Sequence, residues 1–300
     1  MRPYKNLLPD SHLHQELESL LRKKGGTISA EEICRELFLL TAAPAELARS
    51  LVLEFIHDHP HLRLTPEDRV EWSEPDPQEV WRQRRHFLVL DLETTDDIRR
   101  DQRIIEIGVC RIENGRITQE WSQLLNPDRS LSPWVRHLTG ISEAELRRAP
   151  RFPEVAERLL EELEDAILVA HHARFDVAAL SHEFSRLLGS RLGNRYLCTV
   201  ELSRHFLPGM DNYRLETLSR SLGLTHERPH RAGSDARATA ELFTRLAEHP
   251  DGVLAAHLRP RPFTVSPFRA NPPTYGGEAR PPGRQNLEKE KNETSPAGVS

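Results

Sequence analysis

Apolar positions along this chain change their period. From Leu13 to Leu21 they recur at helical spacing, and Gly25-Gly26 ends the run. Ser29 with Glu32 three positions later is a capping box that predicts a second helix. Pro44 suits the first turn of a third, with Leu47, Leu51, Leu53, Phe55 and Ile56 as its expected apolar stripe. Leu62–Leu64 and Val70–Trp72, on either side of a Thr-Pro-Glu-Asp turn, predict a short hairpin. Three helices and a hairpin over residues 1–80 have the outline of a winged helix.

Around Ser73 to Gln78 the chain turns polar and proline-containing, and beyond it strand-like and helical runs alternate. His86 to Asp91, Ile104 to Ile112 and Ile117 to Leu125 predict three consecutive antiparallel strands, with Glu113-Asn114-Gly115-Arg116 as a hairpin turn. Helical runs then flank an apolar strand, Ala166 to Ala170, and a last helix is expected over Asp235 to Leu246. The pattern is a mixed-sheet α/β domain over residues 84–250. Residues 251–300 are expected to be a disordered tail. Beyond His257 they hold eight of the 22 prolines and no apolar period, so they cannot bury enough surface to offset ordering entropy.

With 37% hydrophobic and 29% charged residues, the chain has apolar material for a core of ordinary size. No apolar run approaches the roughly 18 residues a membrane span needs, which predicts a cytoplasmic protein without a membrane partner. Cys34, Cys110 and Cys198 lack metal-ligand spacing and read as buried thiols. The net charge of −5 argues mildly against a passive nucleic-acid binder, but not against a nuclease whose carboxylates load cations. Residues 1–80 hold nine Lys and Arg against fifteen Asp and Glu. Lys and Arg contacts to phosphate supply most non-specific DNA affinity, so this unit is expected to contact protein or act as a scaffold.

Three motifs carry candidate chemistry. In FLVLDLETT an apolar strand ends in Asp91 and Glu93; residues two apart share a face, so both carboxylates converge at the strand end. In ILVAHHARFDVAAL a buried strand leads through His171 and His172 to Asp176 in the first turn of a helix, where the local dipole favours the ionised form. In PHRAGSDARATAELF, His230 lies in a polar loop and Asp235 follows five residues later, with Ala236, Ala240 and Phe243 directed at the core. Each motif alone has an ordinary reading: a solvated strand end, a helix start, a loop imidazole. His171 and His172 are expected to be structural hydrogen-bonders.

In this order the motifs resemble the DEDDh exonuclease family, and within it the proofreading subunits of bacterial DNA polymerase III. The resemblance spans about 84–248 and includes IIEIGV, LTGIS at 138–142 and CTVELSRHFLPGMDNYRLETLSRSLGL at 198–224. It implies a ribonuclease H-like fold with a mixed five-stranded sheet flanked by helices. It also implies that Asp91, Glu93, Asp176 and Asp235 hold two divalent cations, Mg²⁺ or Mn²⁺, with His230 as general base. Thr94, Thr95 and Phe175 would contact the 3′-terminal nucleotide. The implied substrate is a DNA 3′ end, single-stranded or frayed, with a polymerase or another replication or repair protein as partner through the N-terminal unit or the tail. An exoribonuclease of the same fold and a catalytically weak scaffold are the alternatives. Two positions depart from the family: Asp96 stands where Gly is usual, and His172 where Asn is usual. Both bear on substrate contacts more than on the five chemical positions.

Overall fold

The computed structural model describes residues 6–57, 59, 61–73, 86–95, 102–247 and 256–257. Most of the expected linker, Asp96 and nearly all of the expected tail lie outside the described residues. No helix among the described residues is long and apolar enough to cross a membrane.

The chain opens with a short strand, β1 (Leu7–Pro9), then helix α1 (His12–Lys23), strand β2 (Thr27–Ser29) and helices α2 (Ala30–Glu36) and α3 (Ala45–Ile56). Ser29 caps α2 as expected: its hydroxyl accepts from the Glu32 amide at 3.1 Å. Strands β3 (Leu62–Leu64) and β4 (Arg69–Trp72) form the expected hairpin, and β2 adds to β4 to make three strands. Leu17, Leu21, Ile28, Ile33, Val52 and Val70 form the core of this unit. The apolar stripe expected for α3 is corrected. Ala48, Val52 and Ile56 are its buried row, whereas Leu47, Leu51 and Leu53 are exposed at 48%, 36% and 50%. Ala48 and Val52 let α3 lie close to α2, and the longer leucines are left to face outward.

The N-terminal unit is joined to the sheet-bearing region by backbone and side chains. Strand β1 pairs antiparallel with β9 (Ser190–Leu192), Leu7 opposite Leu192. The fully buried Glu18 of α1 accepts a hydrogen bond from Nη2 of Arg191 and lies 3.4 Å from Nε2 of His59. Ser185 donates to Asp10 Oδ2 at 2.6 Å.

The main sheet contains β5 (His86–Thr94), β6 (Ile104–Glu113), β7 (Arg116–Leu124), β8 (Ala166–Ala170) and β10 (Tyr196–Cys198), in the order β10-β8-β5-β6-β7. The first three are antiparallel neighbours, as their pattern predicts, while β8 and β10 run parallel to β5. Between β7 and β8 lie α4 (Pro133–Thr139), α5 (Glu143–Leu146) and α6 (Phe152–Leu163). The chain continues with α7 (Ala173–Leu188), α8 (Thr199–Phe206), α9 (Leu215–Leu222) and α10 (Ala232–Ala247). Strand β5 alternates between two cores: Leu88, Leu90 and Leu92 pack with residues of α6 and α7, and Phe87 and Val89 with residues of α9 and α10. This is the mixed five-stranded α/β fold that the family resemblance implies.

Candidate active site

The period of β5 decides where its two carboxylates point. Asp91 and Glu93 follow Phe87 and Val89 on the face covered by α10, which Phe87 holds edge-on through Phe243 at 4.8 Å. Opposite Asp91 in the register stands Gly108. A Cβ there would lie 2.0 Å from the carbonyl oxygen of Ala232, so only glycine lets the first turn of α10 rest on β6. That contact brings Asp235 up to the strand end. Ala236, Ala240 and Phe243 are buried along the same helix, as expected.

Asp176 enters from α7 and is 3% exposed. Its carboxylate lies beside the backbone of Leu92, the residue between Asp91 and Glu93. Asp235 is 9% exposed; its Oδ2 accepts the His230 amide at 3.0 Å, and its Oδ1 lies 2.6 Å from Nε2 of His226. One ligand-capable atom from each of Glu93, His230 and Asp235 lies within 4.8 Å of the other two. Asp91 and Asp176 are outside that trio but are coupled to Asp235 through charge. Burial pushes Asp91 well above the usual carboxylate range, and Asp235, Asp176 and Glu93 add to the rise. Burial likewise raises Asp176, with a further push from Asp235. Glu93 is raised to about 8 by burial, then by Asp235, Glu106 and Asp176.

Two site residues have backbones outside the usual range: His172 at φ 71° and His230 at φ 63°, the left-handed region that side chains other than glycine seldom adopt. His171 is buried and hydrogen-bonded as expected. Its Nε2 lies 3.0 Å from the Tyr213 carbonyl and its Nδ1 2.8 Å from the Thr199 hydroxyl, and burial lowers its pKa to about 3, so it stays neutral. His172 caps α7 without a side-chain cap hydrogen bond; its ring packs edge-on to His171 at 5.4 Å.

Among the expected nucleotide contacts, Phe175 is half-buried beside Asp176, and Thr94 accepts from Gln102 at 2.7 Å. Thr95 differs. It is 1% exposed, its amide donates to the Arg103 carbonyl at 2.9 Å, and its hydroxyl accepts from the Arg103 amide at 3.2 Å. It holds the end of β5 instead of presenting a free group.

A family described as Exonuclease matches residues 88–243, just over half of the chain. The chain belongs to this exonuclease family. It is 38% identical over 167 residues to the 3′-5′ exonuclease DinG of Bacillus subtilis, a match that covers 55% of this chain and only 18% of that relative. It is 33% identical over 163 residues to the DNA polymerase III subunit epsilon of Aquifex aeolicus, covering 54% of this chain and 80% of that one. The nuclease domain of 3′hExo, a DEDDh family member solved with rAMP, shares the fold. Its TM-score is 0.50 at 20% identity, over 59% of this chain and 98% of that domain.

Sequence reasoning missed two features of this candidate site. Glu106, in IIEIGV, faces Glu93 across the strand pair and is 2% exposed. Arg231 clasps it from Nε at 3.0 Å and Nη2 at 2.9 Å, and the Ala232 amide adds a third bond at 3.1 Å. A carboxylate inside an apolar strand signals a buried partner, yet nothing in the spacing says that the partner follows His230. The other feature is His226, whose position nine residues before Asp235 carries no periodic signal.

Proposed function

We propose that this chain is a metal-dependent 3′ to 5′ exonuclease that releases nucleoside 5′-monophosphates from DNA 3′ ends, single-stranded or frayed, in proofreading or repair. The observation that carries this reading is charge without compensation. Asp91, Glu93 and Asp176 are pushed toward their protonated forms by burial and by neighbouring carboxylates, and Arg231 beside them is already bound to Glu106.

A donor set of carboxylate oxygens fits hard divalent cations, Mg²⁺ or Mn²⁺, and disfavours zinc. Asp91, Glu93, Asp176 and Asp235 would hold two of them. Two such cations, when bound, neutralise a scissile phosphate and stabilise its attacking and leaving oxygens. His230 would accept the proton of the attacking water at its imidazole. Its amide bond to Asp235 ties the loop that carries the base to a metal ligand, so the two are positioned together. Phe175, and Thr94 at the strand end, would pack against the 3′-terminal nucleotide.

The name of the DNA polymerase III relative supports DNA. A polymerase or repair protein reached through the N-terminal unit or the tail belongs to the same proposal, supported by the leucine-bearing outer face of α3. The test is incubation with Mn²⁺ and 5′-labelled single-stranded DNA, frayed duplex or RNA. A ladder shortening from the 3′ end of DNA is expected. Absence of any ladder would overturn the nuclease reading, and RNA degraded faster than DNA would overturn the substrate.

A further inference from the structure

We propose that His226 is a positioning residue that fixes the orientation of the metal ligand Asp235, an inference that rests on the reading above. Nε2 of His226 and Oδ1 of Asp235 are 2.6 Å apart, with the two side chains only 6% and 12% exposed. A carboxylate accepts hydrogen bonds, so the ring nitrogen is the donor. The other oxygen, Oδ2, takes the His230 amide at 3.0 Å. Each oxygen thus has one donor, and both donors come from the same 226–230 loop. Rotating the carboxylate about its Cβ–Cγ bond would break one bond or the other. Each oxygen also keeps a lone pair for a cation, and the two donors decide where those lone pairs point. His226 itself is outside the trio of Glu93, His230 and Asp235 that converges within 4.8 Å, so it acts through Asp235 and not as a ligand.

Loss of a hydrogen bond that orients a metal ligand typically costs about 10- to 100-fold in metal affinity. The experiment is a Mn²⁺ titration of the full chain, read as thermal stabilisation without substrate, alongside kcat and KM on labelled single-stranded DNA. His226→Ala and His226→Leu should raise the Mn²⁺ midpoint by about 10- to 100-fold. The KM for DNA should stay near wild type while kcat at fixed Mn²⁺ falls, and each midpoint is read as the shift from that variant's own melting temperature in EDTA, which loss of a buried donor lowers. Leucine fills the same buried space, so it separates loss of the donor from loss of packing and stands in if the alanine variant fails to fold. His226→Gln, which offers an N–H at similar reach, should restore most of the affinity. If both apolar variants keep the wild-type midpoint while Asp235→Ala abolishes the Mn²⁺ response, the role of His226 is overturned and the site reading stands. If the glutamine variant binds as weakly as leucine, the hydrogen bond is not the cause. If wild type itself shows no Mn²⁺ stabilisation, the site reading falls and this inference with it.

Discussion

Two regions of this protein bury carboxylates, and they do it in opposite ways. Between the N-terminal helices and the sheet-bearing region, Glu18 is fully buried against Arg191 and His59, and Asp10 takes a hydrogen bond from Ser185 with Arg191 nearby. At the end of β5, four carboxylates crowd one space, and Arg231 serves a fifth, Glu106. An unpaired ion costs several kcal/mol to bury, so a fold selected for stability alone supplies a partner, as the first region does. The second region gives Asp235 the ring of His226 and gives its arginine, Arg231, to Glu106. On the proposed reading, this crowding of carboxylates is where divalent cations would bind.

The largest expected effect breaks the second region. Asp91→Ala should abolish nuclease activity on labelled DNA while leaving the melting temperature in EDTA equal or higher, since removing one of several like charges relieves repulsion. A degradation rate near wild type would show that the carboxylates are not the site. Next in size, His230→Ala should lose about 10² to 10⁴ in turnover, the usual worth of a general base, with Mn²⁺ binding by thermal shift little changed. Because its ring lies within ligand reach of Glu93 and Asp235, loss of Mn²⁺ binding together with turnover would make it a ligand in place of a base.

Glu18→Ala breaks the first region instead. It takes the buried Glu18 carboxylate from Arg191 and leaves Asp10 at 3.8 Å, and removing one member of a buried pair typically costs about 3 to 5 kcal/mol. Urea unfolding should show that loss, with turnover per folded molecule unchanged. A cost under about 1 kcal/mol, the range of exposed pairs, would mean that this contact does not join the two parts.

What was legible in the sequence follows the range of the interactions. Asp91 and Glu93 can be read because a period of two is local, and the capping box of Ser29 because it spans three residues. The turn at Asn114-Gly115 and the three antiparallel strands around it are equally local. The clasp of Arg231 on Glu106 joins residues far apart in sequence, as do the pairing of Leu7 with Leu192 and the contact of Glu18 with Arg191. Spacing says nothing about such pairs. The misplaced face of α3 has another cause. Counting large leucines favours Leu47, Leu51 and Leu53, yet helices pack closest where side chains are short, and Ala48 and Val52 take the buried row.

The smallest expected effect sharpens the comparison through pH. Glu93 has its folded pKa raised to about 8, with burial the largest cause, and Asp91 and Asp176 are raised in the same sense. In the unfolded chain these groups titrate near 4. Between about 4 and 8 the folded protein therefore binds more protons than the unfolded one, and stability falls as pH rises wherever the native state holds the extra protons. Without metal, the stabilising contribution of these groups should be full below about pH 4 and should be lost as pH climbs toward 8. Bound cations favour the ionised forms, so the gain in melting temperature on adding Mn²⁺ should be larger at pH 8 than at pH 5. Other groups titrate too, so the reading is a difference: Glu93→Gln carries no ionisable carboxyl and should flatten the decline in EDTA between pH 5 and 8. Glu18→Gln, away from the end of β5, should leave that decline as it is. If wild type and Glu93→Gln lose stability in parallel over this range, the crowding of charge at the end of β5 is not what the metal-free protein feels.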